Sequence, residues 1–149
     1  MTKGTEAYLL DTSALLTFWN DEEGADEVER ILRIAPSDAK VFYSFMTLME
    51  AKYRLWRTGG KGLAGEFERM VTNLPLARVD LNDDILDRAA EIKATNRLSV
   101  ADSWIIAAAM ETEAVLVHKD PEFEQVKDKL TLLPLPYKKS PARNPGQTR

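Results

Sequence analysis

The chemistry-bearing residues of this chain are acids at the ends of apolar runs. Asp11 stands in Tyr8-Leu9-Leu10-Asp11-Thr12-Ser13-Ala14-Leu15. A short continuous apolar run, as expected of a strand buried on both faces, ends there on an acid. A helix pattern follows at once, with Ser13 as its expected N-cap. The arrangement recurs in Val115-Leu116-Val117-His118-Lys119-Asp120-Pro121, where Pro121 at the first helical position makes Asp120 an N-cap. Asp102, in Leu98-Ser99-Val100-Ala101-Asp102, takes the third helical position after a Ser99 cap. Glu50 has Met46 at i−4 and Tyr53 at i+3, so it borders an apolar stripe. Each acid has a plainer local reading: a turn or cap for Asp11 and Asp120, a capping box for Asp102, a surface pair with Arg54 for Glu50. Taken together they share a logic. Acids at the carboxyl ends of parallel strands can face one crevice. Clustered carboxylates raise one another's pKa unless a cation neutralises them. A site of oxygen donors alone selects a hard ion, Mg2+ or Mn2+, which can bridge carboxylates to a substrate phosphate.

The totals narrow the alternatives. The chain has 149 residues, a formal net charge of −4, no cysteine and a single histidine, His118. That length suggests one domain. The absence of cysteine excludes a disulfide framework and a thiolate zinc site. A Ser-His-Asp triad would have to use His118, which at a strand end is expected to be structural. The acidic balance gives no global sign of nucleic-acid binding, so phosphate recognition would have to be local or metal-mediated. The most apolar segment, 104–110, is too short to span a membrane. The first residues, Met-Thr-Lys-Gly-Thr-Glu, lack an apolar signal region. A cytoplasmic location with no membrane partner is expected.

The elements that must position these acids alternate. Apolar spacing predicts helices over 21–35, 45–57, 63–74, 121–130 and, capped by Asn82, through Ile92. Strands are expected at 41–43, within 76–81, at 114–117 and at 132–133. Gly59-Gly60-Lys61-Gly62 lacks the order of a phosphate-binding loop and reads as a helix stop. The helix opened by Ser99 is apolar on nearly every side, the mark of a buried helix. This alternation predicts an α/β/α sandwich around a mainly parallel sheet, with residues 1–137 as a single domain. Residues 138–149, with Lys138, Lys139, Arg143 and Arg149, read as a basic, disordered tail.

In this order, Leu10-Asp11-Thr12-Ser13-Ala14-Leu15, Glu50, Leu98-Ser99-Val100-Ala101-Asp102 and Leu116-Val117-His118-Lys119-Asp120-Pro121-Glu122-Phe123 resemble the PIN-domain signature over residues 7–135. The single-domain size resembles the toxin subunit of a VapBC-type toxin–antitoxin pair. The resemblance implies a five-stranded parallel sheet and a Mg2+-dependent endoribonuclease, with Mn2+ as a possible substitute. Carried over, Asp11, Glu50, Asp102 and Asp120 are the catalytic metal ligands, and Ser13 is the hydroxyl that organises the site. Glu122 is a nearby substitute for Asp120. RNA is the implied substrate, with a homodimer and an inhibitory antitoxin as partners. His118-Lys119 departs from the family, many members of which carry threonine there. Three other readings stand beside this one. The chain could be an RNA-processing nuclease without a toxin role, or a catalytically degenerate module that binds RNA or protein. Aspartyl-phosphate chemistry at Asp11 would need an acid two positions on, where Ser13 stands. Arg54, Arg57, Lys93 and Arg97 are candidates for phosphate contacts, against the plainer reading of solvated helix faces.

Overall fold

The computed structural model describes residues 6–138. Five parallel strands form one sheet in the order β3-β2-β1-β4-β5. They are β1 (Glu6–Leu10), β2 (Ala39–Ser44), β3 (Ala77–Val79), β4 (Val115–His118) and β5 (Leu132–Pro134). The helices are α1 (Thr12–Trp19), α2 (Ala25–Ile34), α3 (Phe45–Gly59), α4 (Lys61–Asn73), α5 (Asp83–Thr95) and α6 (Val100–Glu111), with a short 3-10 helix at Pro121–Val126. The three-layer α/β/α sandwich expected from the alternation is the fold observed.

Strand alternation sorts the core into two layers. Tyr8, Leu10, Val41, Tyr43 and Val117 face Leu15, Ile31, Ala51 and Phe67 of α1 to α4. Leu9 and Leu116 face Ile92, Ile105, Ile106 and Phe123 on the other side. Central β1 is therefore apolar on both faces, with Leu9 and Leu10 wholly buried. Helix α6 lies in the interior along Ile105 to Ala109, which accounts for its lack of a polar face.

The topology determines where a ligand can sit. From β1 the chain moves outward through β2 and β3, then returns to place β4 on the other flank of β1. The direction of winding thus reverses between β1 and β4. The carboxyl ends of those two strands flank the crevice where open α/β sheets bind ligands. Leu10 pairs with Val117 in the ladder, and the Asp11 N–H donates to the Val117 carbonyl at 2.9 Å.

Three local expectations need correction. Asp11, not Ser13, caps α1: its side chain accepts the Ser13 N–H, and the helix starts two residues earlier than a Ser13 cap implies, at Thr12. The helix expected over 21–35 begins only at Ala25, because Asp21 and Gly24 take left-handed φ values of 51° and 103°. A Cβ on Gly24 would also crowd Leu135 and Pro136. The helix expected over 121–130 is a single 3-10 segment ending at Val126. Its buried residues, Phe123 and Val126, lie three apart, which suits three residues per turn. Gly60, at φ 90°, ends α3 and opens α4, as the glycine run predicts. The Asn82 and Ser99 caps form as expected. Beyond Lys138, the predicted tail lies outside the described residues.

Candidate metal centre

Each acid is delivered by a different element. Asp11 follows β1, Asp120 follows β4, Glu50 projects from α3 and Asp102 from the first turn of α6. Ser44 caps α3 by accepting the Met46 N–H at 3.2 Å. Its buried face is Thr47, Glu50 and Ala51. Thr47 meets Thr12 of α1 through a buried hydroxyl–hydroxyl bond of 3.2 Å, which docks this face beside the end of β1. Glu50 is therefore 8% exposed rather than a surface residue, and it also makes the predicted i,i+4 pair with Arg54, at 3.5 Å.

Asp11 is buried, 4% exposed. Its Oδ2 accepts the Ser13 N–H at 3.0 Å and a short bond from the Ser13 hydroxyl. Ser13 Oγ in turn accepts the Lys119 N–H at 3.0 Å, tying the end of β4 to the start of α1. Ser13 Oγ is thus committed to Asp11 and Lys119 rather than to His118, so no Ser-His pair forms. Asp11 Oδ1 is buried with no partner. A buried carboxylate oxygen left in that state is costly without a cation or a proton.

The electrostatics agree. Burial pushes the Asp11 carboxyl up to about 7, opposed by its bonds to Ser13 and reinforced by the nearby charges of Asp102 and Glu50. Burial likewise lifts Asp102 to about 6, reinforced by Glu50, Asp120 and Glu122. Asp102, Asp120 and Glu122 each place a carboxylate oxygen within 4.8 Å of the others. Among the described residues, none of Asp11, Asp102, Asp120 and Glu122 forms a salt bridge, and Arg54 alone pairs with Glu50. The donor set is oxygen throughout, charge-rich and under-neutralised. That fits a hard divalent cation.

The turn after β4 is held on every side. The Asp120 N–H donates to His118 Nδ1 at 3.2 Å, and Asp120 Oδ1 accepts the Glu122 N–H at 2.9 Å, the cap expected of it. His118 is wholly buried, and burial holds its pKa below the usual value. Lys119 adjoins Asp120 in sequence but serves another partner. Its side chain is 6% exposed and reaches Glu22 at 3.4 Å and the Glu23 carbonyl at 2.8 Å. The loop before α2 is pinned to the site in this way. Nothing in the sequence joins residues 97 positions apart, so this contact was not foreseeable. Glu122, named only as a substitute, stands inside the cluster.

A groove of about 320 Å3 adjoins the acids, lined by Ser13, Arg54, Lys119, Asp120, Tyr137 and Lys138, among others. Arg54 thus borders it, as its candidacy for phosphate contact requires. Arg57 instead lies over the Tyr53 ring, Lys93 lines an apolar pocket between α5 and α6, and the Arg97 backbone is engaged by Gln125. A larger cavity at the other end of the sheet, lined by Arg88, Met110 and Thr131, holds none of these acids.

Comparison with known proteins agrees with the geometry. The PIN domain family model matches residues 8–129. No curated protein sequence matches significantly. Among solved structures, a chain of VapBC2 from Rickettsia felis, bound to a DNA fragment from its promoter, superposes with a TM-score of 0.71 at 15% identity, covering 87% of this chain and 99% of that one. VapC20 from Mycobacterium tuberculosis, described as a sarcin–ricin-loop-cleaving toxin, gives 0.64 at 17% identity, covering 80% and 94%. VapBC-5 from the same organism, a member of the VapBC family of toxin–antitoxin systems, gives 0.61 at 17% identity, covering 87% and 97%. At these identities the likeness is one of fold.

Proposed function

The chain belongs to the PIN-domain family, and from that premise we propose that it is a Mg2+-dependent endoribonuclease, the toxin of a VapBC-type toxin–antitoxin pair. The observation that carries the reading is the under-neutralised acid cluster at the carboxyl ends of β1 and β4, with Asp11 Oδ1 buried and unpartnered. Asp11, Glu50, Asp102 and Asp120 would hold the ion, with Glu122 in reach as a further ligand; Mn2+ would serve as well as Mg2+. When bound there, the ion supplies a water of lowered pKa and offsets charge on the phosphate oxygens.

The chain's own residues do the rest. Ser13 holds Asp11 Oδ2 through its N–H and its hydroxyl and leaves Oδ1 without a protein partner. The Lys119 N–H, bonded to Ser13 Oγ, fixes that hydroxyl as a donor to Asp11. Arg54, half exposed at the groove and paired with Glu50, is the proposed contact for a substrate phosphate, and Lys138 lines the same groove. Two positive side chains beside an acidic centre allow a net-acidic protein to hold a polyanion locally. RNA is the proposed substrate.

An antitoxin and a second copy of this chain are the proposed partners, and the cytoplasm is the proposed location. Met49, Tyr53 and Trp56 stand exposed at i, i+4 and i+7 on α3, a stripe of the kind that covered surfaces carry. No helix among the described residues is long and apolar enough to cross a membrane.

The test is cleavage of structured RNA by the purified chain with Mg2+, with chelator, and by Asp11→Asn. Cleavage should need the metal and vanish in the variant. Wild-type rates in Asp11→Asn would overturn the proposal. Stabilisation by Mg2+ without cleavage of any RNA would favour a binding module.

A further inference from the structure

His118 adds no ligand to the acid cluster, yet it touches the backbone of one of its members. It is wholly buried at the end of β4, with its ring 5.1 Å from that of Phe123 and 6.1 Å from that of Tyr137. Its Nδ1 accepts the Asp120 backbone N–H at 3.2 Å. An accepting Nδ1 carries no proton, so the proton of the neutral ring is on Nε2. Nε2 is buried and has no partner.

This is a poor way to fill a core. An unpaired buried donor keeps its full desolvation cost, and a phenylalanine would pack against Phe123 and Tyr137 without it. What histidine offers at this place, and phenylalanine does not, is the acceptor at Nδ1. That acceptor fixes the peptide preceding Asp120, and the Glu122 N–H then holds Asp120 Oδ1. The two bonds together set the direction of a carboxylate within 4.8 Å of Asp102 and Glu122.

We infer that His118 is a positioning residue for the metal centre: through Nδ1 it orients the backbone of Asp120 and so aims that carboxylate at the cluster. The inference rests on the reading of Asp120 as a metal ligand. Partners that orient a ligand typically change metal affinity 10- to 100-fold when removed.

Two substitutions separate positioning from packing. In His118→Asn, Oδ1 takes the place of Nδ1 but the ring is lost. In His118→Phe, the ring is kept but the acceptor is lost. Mn2+ affinity, measured by titration calorimetry on the purified full chain, should stay within about threefold of wild type in His118→Asn and fall roughly 10-fold or more in His118→Phe. Thermal stability without metal should move the other way, with His118→Asn below wild type and His118→Phe at or above it. The single histidine makes a third readout unambiguous: long-range 1H–15N spectra of the wild type should show the proton on Nε2. The inference is overturned if affinity follows stability, if His118→Phe binds Mn2+ as wild type does, or if the proton lies on Nδ1. A wild type that binds no Mn2+ overturns the metal reading itself, and the inference with it.

Discussion

Replacing Asp11 by asparagine should make the metal-free protein more stable at alkaline pH while destroying its activity. The folded carboxyl is pushed up to about 7, against about 3.9 for an unperturbed aspartate. Between those values the native chain holds more protons than the unfolded one, so stability falls as pH rises through the window and stays low above it. Three pKa units at about 1.36 kcal/mol each set a ceiling of about 4 kcal/mol. Of this, about 2.5 kcal/mol is lost between pH 5 and pH 8. For a domain of this size each kcal/mol moves Tm by about 2–4 °C, so the group's contribution spans about 5–10 °C. Asparagine caps a helix as well as aspartate does, so the bond from the Ser13 N–H survives the substitution. His118 acts in the opposite sense: its lowered pKa gives stability that is present above its unfolded value of 6.5 and is lost as pH falls from there through the lower folded value. The Tm difference between wild type and Asp11→Asn cancels that background and reports Asp11 together with its coupling to Asp102 and Glu50. Measured by calorimetry in chelator, Asp11→Asn should melt several degrees above wild type at pH 8, with the gap mostly closed at pH 5. Mg2+ should close the gap at pH 8 by stabilising the wild type alone. A variant less stable than wild type at pH 8, or a gap that does not change with pH, would refute the reasoning.

Ser13→Ala strips the hydroxyl that donates to Asp11 and accepts the Lys119 N–H. It should cost about 1–3 kcal/mol in denaturant unfolding and weaken Mn2+ binding in calorimetry. Lys119→Met severs the pairing with Glu22 and the bond to the Glu23 carbonyl. Breaking a fully buried pair costs about 3–5 kcal/mol; with Glu22 partly exposed, a loss of about 2 kcal/mol is expected in the same measurement. Asp120→Asn and Glu122→Gln, compared by Mn2+ titration, should both weaken binding, with Asp120→Asn the worse; the reverse order would make Glu122 the principal ligand. Phe67→Ala, in the core beneath Trp19, should cost about 3–5 kcal/mol without altering metal affinity in the variant that still folds.

Much of this was legible in the sequence because it is written locally. Alternating apolar runs marked the strands, and strand-acid-helix junctions marked Asp11 and Asp120 at the sheet's carboxyl edge. Asn82 and Ser99 followed ordinary cap chemistry. Glu50 was balanced between a surface pair and a site residue, since its face of α3 is buried by tertiary packing, the Thr12–Thr47 contact included. The misplaced boundaries have local physical causes. Asp11 outcompetes Ser13 as a cap because its extended backbone lets the carboxylate reach the Ser13 N–H. The acidic run 21–23 reads as a helix start, but the left-handed backbone at Asp21 and Gly24 delays it. The Lys119–Glu22 tie and the place of Glu122 in the cluster depend on tertiary closure, which no spacing along the chain encodes.

Water held at the acid cluster is the proposed nucleophile on the RNA backbone, and the ends of the products report on that directly. The purified chain should cut structured RNA only with Mg2+ or Mn2+, leaving a linear monophosphate on one side of each break and a free hydroxyl on the other, as attack by water requires. Breaks ending in 2′,3′-cyclic phosphate, made as readily in chelator and by Asp11→Asn, would mean the RNA's own hydroxyl is the nucleophile and would contradict the claim.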